Sequence, residues 1–507
     1  MIGRKFPKIV SLFLLFVGCG LQLQRNMYPP HEINEMPYDV IKVHMKNGEL
    51  YILDHWRVDE NNKILKGIGR HYGLHRELLK KDSFNIPIDS IALIESNKIY
   101  SDIYHIHLLP LILMTGASIA VTLYCLENPK ACFGSCPTFY VSNQLKAEGF
   151  SSSIAPSLEA DDIDLLLNVK PENGELSIEM RNEALETHVV RYANILAVPK
   201  ENDKYIFATS DGEFYQVGKL ISPLSVKCSQ KDCFDLISKL DEREYFSLAD
   251  EKNLLESEEI ELTFVAEKDK NYGLVVGTRQ SLLLTFIFYQ MLAYMGSNAG
   301  YFLSRIGNIN AEKYKKLEKA IKKIKGLEIY VKKNKGWDRV GYAEGEGPIA
   351  IDYSLINIGK LNEDTVKIKI YMTKGALRLD YVALAEIDKP AKPITIEPYL
   401  VLYNNEENKG ALEALLDKNK VLTTLPGDAY VLKYKIPEGD FEFFLNARGY
   451  YLEWIRKEWL KEENLNLFME FVFFPEIALR RLAPKFKKIE GQMEHIFWRS
   501  KYVKQKQ

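Results

Sequence analysis

Leu176-Ser177-Ile178-Glu179-Met180 alternates apolar and polar side chains without interruption. Successive side chains of an extended chain point to opposite faces, so this spacing marks a strand with one face buried. The rhythm returns at Ile260-Glu261-Leu262-Thr263-Phe264, Leu327-Glu328-Ile329-Tyr330-Val331, Val366-Lys367-Ile368-Lys369-Ile370-Tyr371 and Leu377-Arg378-Leu379-Asp380-Tyr381-Val382. Turn-rich stretches such as Gly336 to Pro348 and Lys360 to Asp364 separate these runs. The expected fold class is a multi-domain, β-rich α+β protein. It combines a small β-barrel, β-sandwich-like domains and several helices, two of them long and apolar.

Toward the N-terminus, residues 37–106 read as the barrel. Lys46-Asn47-Gly48-Glu49 separates the apolar positions Ile41, Val43 and Met45 from Leu50-Tyr51-Ile52-Leu53. Asn-Gly tolerates the positive φ of a two-residue hairpin turn. Ile64–Tyr72, Phe84–Ile88 and Ile91–Ile94 complete a pattern similar to small SH3-like or Sm-like barrels. Two uncharged runs follow, of 18 residues from Leu108 to Cys125 and 24 residues from Ser281 to Ser304. Both are read as helices. Pro110 and Gly116 weaken the first as a membrane span, and Gln290, Ser297 and Asn298 point the second toward the protein interior.

Ala311–Lys325 has the spacing of an amphipathic helix, with Leu317, Ala320, Ile321 and Ile324 on one face and Gly326 placed to end it. Residues 327–390 resemble a jelly-roll or galactose-binding-like sandwich in their strand rhythm. Pro390, Pro393 and Pro398 mark a linker. Tyr451–Lys461 and Pro475–Leu482 are read as helices, the second ended by Pro484. The expected division is a signal peptide at 1–18, a tether at 19–36, the barrel at 37–106 and an apolar helix at 107–126. A β-rich domain at 127–270, a helical segment at 271–326, the sandwich-like domain at 327–390 and a C-terminal α+β region at 391–507 complete it.

In 507 residues, 67 Lys and Arg balance 69 Asp and Glu for a net charge of −2, which excludes a generally basic nucleic-acid binder. Arg4, Lys5 and Lys8 precede Ile9 to Val17, a run whose sole polar member is Ser11. It is too short to span a bilayer but matches the apolar region of an export signal. Phe16-Val17-Gly18-Cys19 resembles the lipobox of bacterial lipoproteins, with Phe16 where leucine is usual. The resemblance implies that Cys19 carries lipid, palmitate included, and becomes the new N-terminus. Gly20 stands where an aspartate would retain the protein at the inner membrane, so the outer membrane, on its periplasmic or surface face, is expected. Removing Arg4, Lys5 and Lys8 leaves a mature chain of net charge −5.

With Cys19 lipidated, five of the six cysteines remain, and export permits disulfides. Cys132, Cys136, Cys228 and Cys233 are the candidates, paired either locally or across the two segments, with Cys125 left over. Glu159, Asp161, Asp162 and Asp164 form the densest acidic cluster. Calcium takes such oxygen ligands, but the glycine of an EF-hand loop is missing, and the cluster is read as an acidic turn. His71, His75, His105 and His107 lack a carboxylate at metal-motif spacing. There is no G-x-S-x-G elbow, phosphate loop or dinucleotide fingerprint. No catalytic residue, metal or cofactor is therefore assigned, and the reading leans away from an enzyme. Trp337, Tyr342 and Tyr381 are candidate aromatics for stacking against a glycan. Residues 312–335 carry ten lysines against three glutamates, a face suited to anionic lipid headgroups.

Gly134-Ser135-Cys136-Pro137-Thr138-Phe139-Tyr140, after an apolar run, resembles a segment of uncharacterised exported bacterial proteins, as does Asn182-Glu183-Ala184-Leu185-Glu186-Thr187. That resemblance spans Cys125 to Val217 and implies no activity. The leading expectation is a lipid-anchored exported protein that binds or scaffolds at the cell envelope, with a glycan or envelope protein as partner and no nucleic acid. A carbohydrate-binding or carbohydrate-processing lipoprotein and a membrane-embedded component of an envelope assembly are the alternatives.

Overall fold

The computed structural model describes residues 21–28, 33, 41–45, 49–59, 61, 63–72, 78–101, 137–154, 159–184, 186–229, 233–241, 243–296, 299, 311–333, 336–425, 427–453 and 462–500. The lipobox, Leu108–Cys125, Cys132, Cys136, His75, His105 and His107 lie outside them. The protein is β-rich, with several sheets and a smaller set of helices.

The first sheet consists of β1 (Leu21–Tyr28), β2 (Ile41–Met45), β3 (Leu50–Asp59), β4 (Ile64–Tyr72), β5 (Leu78–Pro87) and β6 (Ile91–Ser101). Its order is β1-β6-β2-β3-β4-β5, antiparallel throughout, with Ile41, Val43, Leu53, Leu65, Ile86 and Ile94 in its core. Two corrections follow. Leu21–Tyr28 falls in the expected tether, yet all eight residues pair with β6. The sheet is also open rather than a closed barrel, because the two edges of β6 are taken by β1 and β2 and the path ends on β5. A Cβ on Gly69 would lie 1.9 Å from the Ile52 carbonyl oxygen, so β4 needs glycine there to approach β3.

Two sheets face each other farther along the chain. One runs β24-β23-β26-β10-β7-β8, from β7 (Thr138–Val141), β8 (Gln144–Glu148), β10 (Glu175–Arg181), β23 (Leu400–Tyr403), β24 (Glu406–Glu407) and β26 (Ala429–Lys435). The other runs β22-β11-β27-β9, from β9 (Asp161–Leu165), β11 (Glu186–Pro199), β22 (Ile394–Ile396) and β27 (Phe441–Glu453), with β25 (Leu422–Thr424) also on β11. Ile178, Met180 and Leu432 from the first sheet share a core with Ile195, Phe443 and Leu445 from the second. The alternation of Leu176–Met180 is thus read correctly: Leu176, Ile178 and Met180 are buried, Ser177 and Glu179 are not.

A closed barrel does exist, in the order β12-β13-β21-β16-β19. Its strands are β12 (Tyr205–Ala208), β13 (Phe214–Ile221), β16 (Asn271–Gln280), β19 (Asp352–Lys360) and β21 (Leu377–Ala391). Beside it lies the sheet β14-β15-β20-β17-β18, made of β14 (Ser225–Lys227), β15 (Ser257–Val265), β17 (Gly326–Lys333), β18 (Gly336–Glu344) and β20 (Thr365–Thr373). Residues 327–390 are therefore divided between a sheet and a barrel instead of forming their own sandwich. Strands from 127–270 pair with strands from 327–390 and from 391–507, as in β13 with β21 and β10 with β26. Pro390 belongs to β21, opposite Tyr215, rather than to a linker.

Among the described residues, the helices with assigned bounds are α1 (Cys233–Ile237), α2 (Leu282–Met295), α3 (Ala311–Lys325), α4 (Lys409–Leu416), α5 (Leu465–Phe473) and α6 (Pro475–Ser500). The expected long apolar helix at 281–304 is shortened. Ser281 caps α2 by accepting from the Leu283 N–H, and Gly296, at φ 52°, ends it after 14 residues. Leu283, Ile287 and Leu292 are buried with α5, α6 and the neighbouring sheet. No helix among the described residues is long and apolar enough to cross a membrane. Gly326 opens β17 instead of capping α3, and Tyr451–Glu453 extend β27 because they pair with Glu186–His188. Pro484 does not end α6. Pro484 and Arg480, the residue four positions earlier, are both exposed, so solvent can take the carbonyl that the ring leaves without a donor.

Candidate functional site

The four acids 159–164 form no turn. They lie on or beside β9, and the strand sorts them by face. Glu159, its side chain covered, and the exposed Asp161 meet cations: Arg191 Nε and Arg448 Nε reach Glu159 Oε1 at 2.9 and 3.0 Å, and Arg448 Nη1 reaches Asp161 Oδ1 at 2.9 Å. Asp162 and Asp164 point inward, 5% and 4% exposed. There they meet three acids that are distant in sequence: Glu148 at the end of β8, Glu346 in the turn after β18, and Asp352 at the start of β19.

Backbone donors hold this group together. The N–H of Ile349 and of Ala350 donate to Glu148 Oε2 at 2.7 and 3.2 Å, and the N–H of Glu346 donates to Asp352 Oδ2 at 2.8 Å. The Phe150 N–H donates to Asp162 Oδ2. Gly347 is required in the turn, because a Cβ there would lie 2.2 Å from Glu148 Oε2. Asp164 Oδ2 has no hydrogen-bond partner among the described residues.

Such crowding decides the charge state. Burial raises the pKa of Asp162 and Asp164 well above the usual carboxylate range, and their acidic neighbours raise both further. Burial, then repulsion from Glu346, pushes Asp352 up to about 8. Asp164 and Asp352 face each other within hydrogen-bond reach. Packed carboxyls either share protons or bind a cation. Among the described residues no group of His, Cys, Asp and Glu has a metal-holding arrangement. Asp162, Asp164 and Asp352 thus keep their protons to higher pH than ordinary carboxyls. A cavity of about 240 Å³ lies alongside, lined by Leu165, Ile349, Ala350 and Tyr353, and none of the five carboxyls lines it.

Other expected site residues fall elsewhere. Cys228 and Cys233 form a local disulfide beside α1. Trp337 sits on β18 between Lys332 and Lys369, whose ammonium groups are 5.5 and 4.6 Å from its ring. Tyr342, on the same strand, donates to the Lys322 carbonyl oxygen. Tyr381 is buried with the barrel residues Tyr353 and Val275. The three aromatics do not come together. His71 stacks on Tyr51 at 4.1 Å and reaches Glu49 at 3.1 Å.

Two buried groups gave no sequence signal. Arg279 and Glu244, both fully buried, form a bidentate pair at 2.5 and 2.6 Å, with Arg378 3.6 Å from the same carboxylate. His188 on β11 is fully buried, and burial lowers its pKa to about 3.

No family model matches the chain, and no curated protein matches it. Among solved structures, it is similar at 6% identity to the secreted serine protease VesC from Vibrio cholerae, with a TM-score of 0.16 over 71% of this chain and 76% of that one. A GH31 alpha-xylosidase from Xanthomonas citri gives 6% identity and a TM-score of 0.15, over 79% of this chain and 35% of that one. The infectious bursal disease virus Gx strain gives 9% identity and a TM-score of 0.12, over 92% and 91%.

Proposed function

We propose that this is a lipid-anchored exported bacterial protein that acts at the cell envelope by binding or scaffolding, with Cys19 as the lipid attachment point. The observation that carries the reading is the Cys228–Cys233 disulfide. Disulfides form and persist in oxidising compartments outside the cytosol. It supports export independently of the basic, apolar and Cys19-terminated leader. The outer membrane is the proposed site, from Gly20 after the lipidated cysteine. Binding or scaffolding would fall to the β-rich body.

The test is fractionation of cells producing the protein and its Cys19→Ala variant. The parent is expected in the outer-membrane fraction and labelled by a palmitate analogue, with the variant unlabelled and released. Equal distribution and labelling of the two would overturn the anchor.

A further inference from the structure

Helix α5 is apolar on two sides. Phe468, Phe471 and Val472 are buried against α2 and α6. On the adjoining face, Leu465, Met469 and Phe473 recur every four residues and stay uncovered, at 48%, 46% and 38% exposure. Phe474, at the junction of the two helices, and Ile477, in the first turn of α6, are each 55% exposed as well. Five large exposed apolar side chains between 465 and 477 are not a scatter of single surface hydrophobics, and such patches mark contact surfaces.

The flank of the patch is cationic. Helix α3 packs beside α5 and, among its described side chains, presents Lys315, Lys316, Lys319, Lys322 and Lys323 to solvent with the exposed acid Glu318. Lys316 Nζ lies 5.6 Å from the Phe474 ring centroid, so the two halves of the surface meet. The described acids on the α5–α6 side are the exposed Glu463 and Glu476, Glu462, which accepts from Gln290, Glu470, which pairs with Arg481, and the buried Glu490; the exposed Arg480 offsets Glu476.

We propose that this corner is a second membrane contact, in which Leu465, Met469, Phe473, Phe474 and Ile477 enter the upper acyl region of an anionic leaflet and the α3 lysines take its headgroups. An apolar patch beside a lysine face is the surface that interfacial helices present to anionic lipid. A second copy of the chain fits less well, because a two-fold contact would bring both lysine faces together. The uncharged run Leu108–Cys125 of the same chain could cover apolar atoms but leaves the lysines unanswered. The inference rests on the envelope reading for the membrane it meets, but not on the lipid at Cys19.

The experiment is vesicle flotation with the full chain carrying Cys19→Ala, so that lipidation plays no part. One variant adds Phe474→Ser and Ile477→Ser; another adds Lys315→Glu, Lys316→Glu and Lys319→Glu. All changed side chains are exposed, and an unchanged thermal midpoint confirms folding. The N-terminal apolar run is common to every protein compared. The parent is expected to float with phosphatidylglycerol-containing vesicles, less so at high salt, and each variant to lose more than about tenfold in partitioning. Failure of the parent to bind, equal binding by parent and variants, or binding to pure phosphatidylcholine as strong as to anionic vesicles would overturn the proposal. So would loss of self-association in the serine variant with vesicle binding unchanged. Fractionation of Cys19→Ala reads the anchor separately, so either idea can fail while the other stands.

Discussion

Two buried titratable groups set opposite limits on stability. Asp352 holds its proton to about pH 8, against an ordinary value of 3.8. The folded chain therefore binds a proton that the unfolded chain releases, and this stabilisation, complete below 3.8, is lost as pH rises through 8. His188 has the reverse sign, because its folded value of about 3 lies below the ordinary 6.5. Its contribution is complete above 6.5 and is lost as pH falls through 3. Asp164→Asn is expected to raise stability at pH 8.5 and to flatten the alkaline limb of a melting-temperature profile. An unchanged limb would remove Asp164 from the cluster's proton balance. His188→Gln should flatten the acid limb alone. Arg279→Ala leaves Glu244 with a more distant cation, Arg378, and is expected to cost about 3 kcal/mol in urea unfolding. Asp162 and Asp164 stood out as acids in the sequence, but Glu148, Glu346 and Asp352 did not. Nothing local ties them to β9; they meet because sheet and barrel are folded against one another.

Local chemistry was legible at the scale of elements, and its limits were physical. Alternation marked the strands because a half-buried strand repeats every two residues, whatever its partner. The extent of α2 was misjudged because an uncharged run records burial, whereas a helix's length depends on where its backbone is capped. Ser281 begins α2 and Gly296 ends it. Ser281→Ala should cost about 1 kcal/mol in thermal or urea unfolding, since the Leu283 N–H loses its acceptor. Pro484 was misread as a stop: it lies on the exposed face of α6, where solvent can hydrate the carbonyl left without a donor and the helix can bend away from the ring. Prolines in strands follow the same logic, and Pro390 sits within three residues of the end of β21.

At the scale of the molecule, shared strands and shared cores link the segments between 137 and 453. β21 pairs with β13 on one edge and β16 on the other, and β10 pairs with β26 across more than 240 residues. Urea unfolding followed by tyrosine fluorescence and by far-ultraviolet circular dichroism is expected to give coincident transitions for this body. A fragment ending at residue 270 should fail to fold, because β16 would be cut off and β10 would lose β26. Two separated transitions would show that independent domains exist after all. Reducing the Cys228–Cys233 bond should lower stability by about 2 kcal/mol, the scale for so short a loop. The sequence by itself determined the β-rich class, the positions of most strands, the lysine face of α3 and the export-like leader, because each depends on periodicity or composition within a few residues. Only the tertiary structure decided which strands share a sheet, that the closed barrel lies in the body, that five carboxyls converge and that the outer side of α5 is uncovered. Those depend on contacts between residues far apart in the chain, which no local pattern records.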